Sequence, residues 1–170
     1  DDLWDMYNEQ GLILANDSGL LFGNDEQWQK RSDQLLKQTP EKALALNTAL
    51  VLHTSDFSTM QQQHKTIVEI IEQRKNGLEL INQLYLHSDK VPDVNVLPDE
   101  VRYRLVDYAL SEGDYSEAAK IMKSLQEPPP GNTLFDWRMR KARVLILQGE
   151  YQSSEDLIRK TFSENARITR

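Results

Sequence analysis

The chain has 170 residues, of which 39% are hydrophobic, a size and composition suited to one ordinary domain or two small ones. Its formal net charge is -7 at pH 7, which argues against nucleic acid and against an anionic membrane surface as the principal ligand. The absence of cysteine excludes disulfides, thiolate zinc sites and a cysteine nucleophile.

Three helices are predicted in the first part of the chain. Residues 3–15 carry apolar side chains at helical spacing, although Gly11 should weaken this helix because glycine lowers helix propensity. After a loop rich in Gly, Asn and Asp, a second helix is predicted over 25–38 with Asp25 as its N-cap. A third helix over 40–53 begins at a proline and is apolar over much of its circumference. We therefore expect this third helix to lie at the centre of the core.

The longest predicted element covers residues 59–87. Within it, side chains separated alternately by four and three residues form the spacing of a coiled-coil seam: Met60, His64, Ile67, Ile71, Arg74, Leu78, Ile81 and Tyr85. One continuous helix of this length would span about 45 Å, but Asn76-Gly77 could instead divide it into two helices. A continuous helix would either pack along other helices of the chain or offer its seam to a second chain in an oligomer. Extra apolar residues beside the seam favour packing within the chain.

Two matching windows, residues 103–130 and 139–162, follow a proline-containing loop at 88–98. The second window repeats the frame of the first 36 residues later. The paired positions are Leu105, Ala109, Gly113, Tyr115, Ala118, Met122 and Leu125, then Lys141, Leu145, Gly149, Tyr151, Ser154, Ile158 and Thr161. Each window predicts a helix, a short turn in which Gly113 or Gly149 is free to take a positive φ, and a second helix. A repeated helical hairpin is typical of a solenoid.

These residues resemble the tetratricopeptide repeat family, whose pattern has a small residue, then Gly-x-Tyr, then Ala and a large apolar residue, and ends in Pro. The resemblance covers about residues 99–165. The period of 36 departs from the usual value of about 34 residues. Arg102 or Arg138 stands where an aromatic residue is usual, and Ser154 and Thr161 replace alanines. Two unrelated amphipathic hairpins that share a Gly-x-Tyr turn are the alternative explanation.

The resemblance implies an all-α fold in which antiparallel helical hairpins stack as a short superhelix. The repeats would occupy residues 98–170, an additional helical part residues 1–90, and both would form one continuous α-solenoid domain. In this family the first helix of each hairpin lines a concave groove that receives a peptide or a helix. The matching residues, which we predict to bind protein, are Tyr103, Asp107, Met139, Arg143 and Ile146, with Glu100, Leu110 and Asp136 in the same register.

Arg143 also belongs to the one local basic concentration in this acidic chain, together with Arg138, Arg140 and Lys141. On a helix these four residues spread over more than one face. A solvated surface, whose aliphatic stems cover apolar neighbours, is therefore the alternative to a binding role. The family's two-carboxylate clamp for chaperone tails needs a set of Lys and Asn residues that has no match in this sequence, which disfavours that ligand.

No residue pattern in the sequence indicates catalysis, a metal or a cofactor. The three histidines show no zinc spacing, and there is no glycine-rich phosphate loop. The acidic stretch at 89–100 lacks the central glycine of a calcium loop. We therefore predict no enzyme activity, no catalytic or metal-binding residue and no cofactor.

The sequence predicts a non-catalytic protein-interaction scaffold or adaptor with a protein or peptide partner. The alternative is a helical sensor or ligand-binding domain that signals through the 59–87 helix. No apolar run approaches the roughly 18 residues of a membrane span, so we predict no direct membrane insertion, and cytosol and periplasm are both left open. Because the chain begins with two aspartates and not with methionine, we expect a processed protein or part of a larger one.

Overall fold

The computed structural model describes residues 2–20, 23–53, 60–91 and 93–168. Over these residues it contains nine α-helices, one short 3-10 helix (Val94–Val96) and no β-strand, which confirms the all-α prediction. The α-helices are α1 (Asp2–Asp17), α2 (Asp25–Gln38), α3 (Pro40–His53), α4 (Gln61–Glu72), α5 (Gly77–Tyr85), α6 (Asp99–Ser111), α7 (Tyr115–Lys123), α8 (Leu134–Leu147) and α9 (Tyr151–Ile168). Most pairs of packed helices are neighbours along the chain, as expected for a helical-repeat arrangement.

The chain divides into two compact units, unit 1 (Asp1–Val101) and unit 2 (Arg102–Arg170). In unit 1 the central helix is α3, which packs against α1, α2 and α4. Every residue from 43 to 51 in this helix is buried. The prediction that the 40–53 helix lies at the centre of the core is confirmed, because a helix that is apolar over much of its circumference needs neighbours on several sides.

Close packing of α1 against α3 changes the interpretation of Gly11. The sequence predicts that this glycine only weakens α1, but the helix runs without interruption from Asp2 to Asp17. A Cβ atom at position 11 would lie 2.0 Å from the main-chain oxygen of Ala45 and 2.7 Å from Cβ of Ala49. Gly11 therefore allows the two helix backbones to approach each other, and the lost helix propensity is offset by packing.

The start of α2 corrects a predicted boundary. The N-cap is Asn24, and the predicted cap Asp25 is the first helical residue. Asn24 Oδ1 accepts a hydrogen bond from the main-chain N of Gln27 at 2.9 Å, and Gln27 Oε1 accepts one from the main-chain N of Asn24 at 3.0 Å. This reciprocal capping box satisfies two N–H groups, and it leaves the charge of Asp25 in the first turn, where the helix dipole favours it.

The 59–87 segment is divided, as the Asn76-Gly77 alternative predicted, and the continuous helix of about 45 Å is not formed. Its first residue, 59, lies outside the described residues; α4 ends at Glu72 and α5 begins at Gly77. A Cβ at position 77 would lie 2.6 Å from the main-chain oxygen of Ile71, so the chain folds back closely on the end of α4. Five of the predicted seam residues are fully buried within unit 1: His64, Ile67, Ile71, Ile81 and Tyr85.

A buried tryptophan connects α1 and α5 within unit 1. Trp4 is fully buried, and its indole Nε1 donates a hydrogen bond to the main-chain oxygen of Leu84 at 2.8 Å. Its ring meets the ring of Tyr85 edge-on, with centroids 5.4 Å apart. The Tyr85 hydroxyl is 2.9 Å from Nδ1 of His64, which is also buried. Paired polar groups in the core thereby join α1, α4 and α5.

Burial raises the pKa of the Tyr85 hydroxyl well above its ordinary value, which predicts a pH dependence of stability. Unfolded chains lose this proton near about pH 10, whereas the folded chain keeps it, so the unfolded state binds fewer protons as pH rises further. The free energy of unfolding should therefore fall above that pH, by about 1.4 kcal/mol per pH unit from this group. Urea titrations between about pH 9 and pH 11 give the slope of the free energy of unfolding against pH for the wild type and for Tyr85→Phe. Identical slopes would contradict the prediction.

Candidate functional site

Two glycine turns give unit 2 its repeated geometry. Gly113 has a φ of 73° and Gly149 a φ of 87°, which confirms the predicted left-handed conformation. At the first turn the N–H of Asp114 donates to the main-chain oxygen of Ala109 at 2.9 Å, and the equivalent bond 36 residues later is 2.8 Å. Both are Schellman C-caps, one ending α6 and the other ending α8. The predicted order of helix, glycine turn and helix is present in both windows.

Departures from the repeat pattern are accommodated by paired polar groups. Ser154 and Thr161, which replace alanines, are buried. Their hydroxyls donate to main-chain oxygens, Ser154 to Ala142 at 2.9 Å and Thr161 to the residue one turn earlier at 2.7 Å. Arg102, in place of an aromatic residue, is buried and donates to the hydroxyl of Ser124 at 2.8 Å. A hydroxyl bonded to the main chain can replace an alanine methyl without leaving a buried polar group unpaired.

Three of the predicted protein-binding residues share an open face of α8. Met139, Arg143 and Ile146 are separated by four and three residues, so they lie on the same side of the helix. Arg143 is exposed, Ile146 is 46% exposed and Met139 is partly buried. Leu147 beside them is 53% exposed. This face therefore presents aliphatic surface with a cation in its middle.

The two predicted residues on α6 are placed differently. Tyr103 is only 6% exposed; its hydroxyl donates to the main-chain oxygen of Glu127 at 2.6 Å, and its ring meets Trp137 edge-on at 5.5 Å. Asp107 is partly exposed and accepts a hydrogen bond from Arg140 at 2.8 Å. Tyr103 thus contributes to the core of unit 2 and offers little surface to a ligand, whereas Asp107 links α6 to α8.

The basic cluster on α8 is spread over several environments. Arg138 forms an ion pair with Glu164 of α9. The charged groups of Arg140 and Lys141 each lie 5.7 Å from the centre of the Trp137 ring. Burial, and secondarily the charge of Arg138, lowers the pKa of Lys141. The fourth member, the exposed arginine of the open α8 face, makes no ion pair within the part of the chain that the structure describes.

Sequence reasoning missed an open cavity of about 610 Å³ between α7, α8 and α9. Its lining residues on α8 and at the C-cap of that helix are Lys141, Val144, Leu145 and Gln148. Because successive residues of an α-helix turn by about 100°, this set points away from the open face of Met139, Arg143 and Ile146. Lys120 and Lys123, spaced three apart on α7, line the same cavity, but nothing in the sequence places them beside α8.

Among the described residues, no group of three or more His, Asp or Glu side chains is arranged to hold a metal ion. Within the same ranges, no helix is both long and apolar enough to cross a membrane. Comparison with known proteins identifies no relative, since no family profile, no curated protein and no solved structure matches the chain. The resemblance to tetratricopeptide repeats therefore stays a prediction that rests on the residues of the two windows.

Proposed function

We propose that this chain is a non-catalytic protein-interaction scaffold or adaptor, which binds a peptide or a helix of a partner protein on the open face of α8. The observation that carries the proposal is the exposed set of Arg143 and Ile146, with Met139 beside them, on a helix that packs against α7 and α9 on its other sides. Stacking of residues 98–170 as tetratricopeptide-like hairpins would place this face inside a concave groove.

The chemistry of the face indicates the kind of partner. Burial of the exposed Ile146 and Leu147 side chains on binding is favourable, at about 25 cal/mol per Å² of apolar surface removed from water. Arginine is among the residues that most often dominate binding energy at protein interfaces, and Arg143 can pair with a carboxylate in a bidentate geometry. The partner segment is accordingly amphipathic and carries an acidic residue. In this proposal Tyr103 supports α8 from the core, and Asp107 borders the face.

Charge reversal at Arg143 tests this proposal. The full chain and its Arg143→Glu variant are used to capture partners from an extract of the source cells, with folding of both checked by circular dichroism. We expect a partner that the wild type retains and that Arg143→Glu binds at least about tenfold more weakly, a loss of about 1.4 kcal/mol. Lys160→Glu is the matched control, because Lys160 is an exposed cation on a different helix, α9.

Two outcomes would count against the α8 face. A partner retained equally by wild type and Arg143→Glu would show that the interface lies elsewhere. A wild-type chain that captures nothing, under conditions where it is folded, would contradict the scaffold function itself.

A ligand-binding domain is the second candidate function, and the cavity between α7, α8 and α9 is the observation that favours it. Signalling along the 59–87 segment would have to cross the break between α4 and α5. Pairing with a second chain through the predicted seam would require residues such as Ile67 and Ile81 to leave the core of unit 1. Stabilisation of the folded chain by a small molecule, measured as a rise in Tm, would support this candidate over the scaffold.

A further inference from the structure

The open cavity between α7, α8 and α9 has an apolar wall and a basic edge. Its apolar lining residues are Ala119, Met122, Val144, Leu145 and Leu157. Its cationic residues are Lys120 and Lys123 on α7 and Lys141 on α8. The volume of about 610 Å³ lies within the range of about 300 to 1,000 Å³ of ligand sites. Several cations around an apolar wall, in a chain of net charge -7, indicate an anionic ligand with an apolar part.

Of the three lysines that line the cavity, Lys141 is the most buried. It is partly buried, whereas Lys120 and Lys123 are exposed. Its amino group lies near the Trp137 ring, and burial together with the charge of Arg138 disfavours its protonated form. A partly buried ammonium beside another cation is stabilised when a carboxylate is added. A bound acid would therefore relieve an unfavourable contact that the fold already contains.

The charges are distributed unevenly along the cavity. The indole Nε1 of Trp137 donates to the main-chain oxygen of Leu125 at 3.1 Å, so the end of α7 lies beside the start of α8 and the two helices run in opposite directions. Lys123 and Lys141 consequently lie toward one end of the cavity. Glu150, the one carboxylate among the described lining residues, lies toward the other end and would repel an acid there. A ligand is thereby oriented with its carboxylate toward the lysines.

We propose that this cavity binds an acidic peptide segment, in which an aspartate or glutamate lies next to a large apolar residue. The carboxylate pairs with Lys123 and Lys141, and the apolar side chain occupies the wall formed by Met122, Val144 and Leu157. The cavity and the open α8 face use opposite sides of α8, so they are separate sites. This inference does not depend on the function proposed for the α8 face.

A peptide fits this lining better than a lipid acid does. The cavity is open to solvent, and its edge carries the polar side chains of Ser116, Gln148 and Ser153. Hydroxyl and amide groups can hydrogen-bond to a peptide main chain. An acyl chain would cover these groups without pairing them and would itself remain in contact with water.

Selection from a random hexapeptide library displayed on phage, with the immobilised full chain as target, tests the proposal. We expect the selected peptides to carry an aspartate or glutamate beside a large apolar residue. A fluorescent synthetic peptide of the selected sequence should bind the double variant Lys123→Glu plus Lys141→Met about tenfold more weakly than the wild type, measured by fluorescence anisotropy. Its affinity for the wild type should also fall as salt is added, because partly exposed charge pairs are screened.

Two control variants locate the binding. Lys160→Glu lies outside the lining, and Arg143→Glu changes only the opposite side of α8; both should bind the peptide as the wild type does. A failure of the proposed peptide binding at the cavity is thereby distinguished from a failure of the proposed partner binding at the α8 face. Lys123→Glu alone, at an exposed position, supplies a second lining variant if the Lys141 change prevents folding. Selected peptides without acidic residues, binding that survives both lysine variants, or binding of dodecanoate and of no peptide would each overturn the proposal.

Discussion

Replacement of Gly11 by alanine should lower the free energy of unfolding by about 2 kcal/mol, although alanine is the better helix former. The new Cβ would lie 2.0 Å from a main-chain oxygen of α3, at Ala45, and this distance is far shorter than any real contact. Because α3 is enclosed by α1, α2 and α4, it has little room to move away. The gain in helix propensity, about 1 kcal/mol, offsets only part of the overpacking.

Urea unfolding followed by circular dichroism measures the effect, and Gln10→Ala is the matched control. Gln10 is the exposed neighbour of Gly11 on the same helix, so its replacement should change the free energy of unfolding by no more than about 0.5 kcal/mol. If Gly11→Ala were as stable as Gln10→Ala, α1 would have to lie farther from α3 than described, and the close contact would be wrong.

Features that depend on local chemistry could be predicted from the sequence. The start of α3 at Pro40 and the left-handed glycines at 113 and 149 follow from the φ that each residue prefers. Periodic apolar residues located the helices. Adjacent capping residues are not separated by local chemistry, because Asn24 and Asp25 are both good N-caps and only the reciprocal bond with Gln27 distinguishes them.

Features that depend on contacts between distant residues could not be predicted. Glycine lowers helix propensity in any helix, and the sequence shows only this cost. The close approach of α1 and α3 that Gly11 allows is evident only from the packing of the two helices. On α8, residue spacing correctly grouped Met139, Arg143 and Ile146 on one face, since helical periodicity is local. Tyr103 was assigned to the groove by its register, yet it is buried because Trp137 packs against it from another helix. The open cavity between α7, α8 and α9 is formed by three helices, and no sequence pattern predicts it.

Replacement of Trp137 by alanine should lower the free energy of unfolding of unit 2 by about 3 to 5 kcal/mol, a larger effect than that of Gly11→Ala. This side chain is 2% exposed, and its ring supports Tyr103 edge-on. Its Nε1 also donates a hydrogen bond to the main-chain oxygen of Leu125, which holds the segment between α7 and α8 against α8. The alanine variant would leave both a cavity and an unpaired carbonyl. Trp4 combines the same two contacts in unit 1, with Tyr85 and with the main chain at Leu84.

Comparison with Trp137→Phe separates packing from hydrogen bonding. Phenylalanine keeps an aromatic ring beside Tyr103 but lacks the N–H group, so we expect a loss of about 1 to 3 kcal/mol. Urea unfolding should be followed by circular dichroism, because both variants remove a fluorescent indole. Equal losses for the two variants would mean that the bond to Leu125, and not the buried ring, stabilises unit 2. A loss below about 1 kcal/mol for Trp137→Ala would mean that neighbouring helices close over the vacated space.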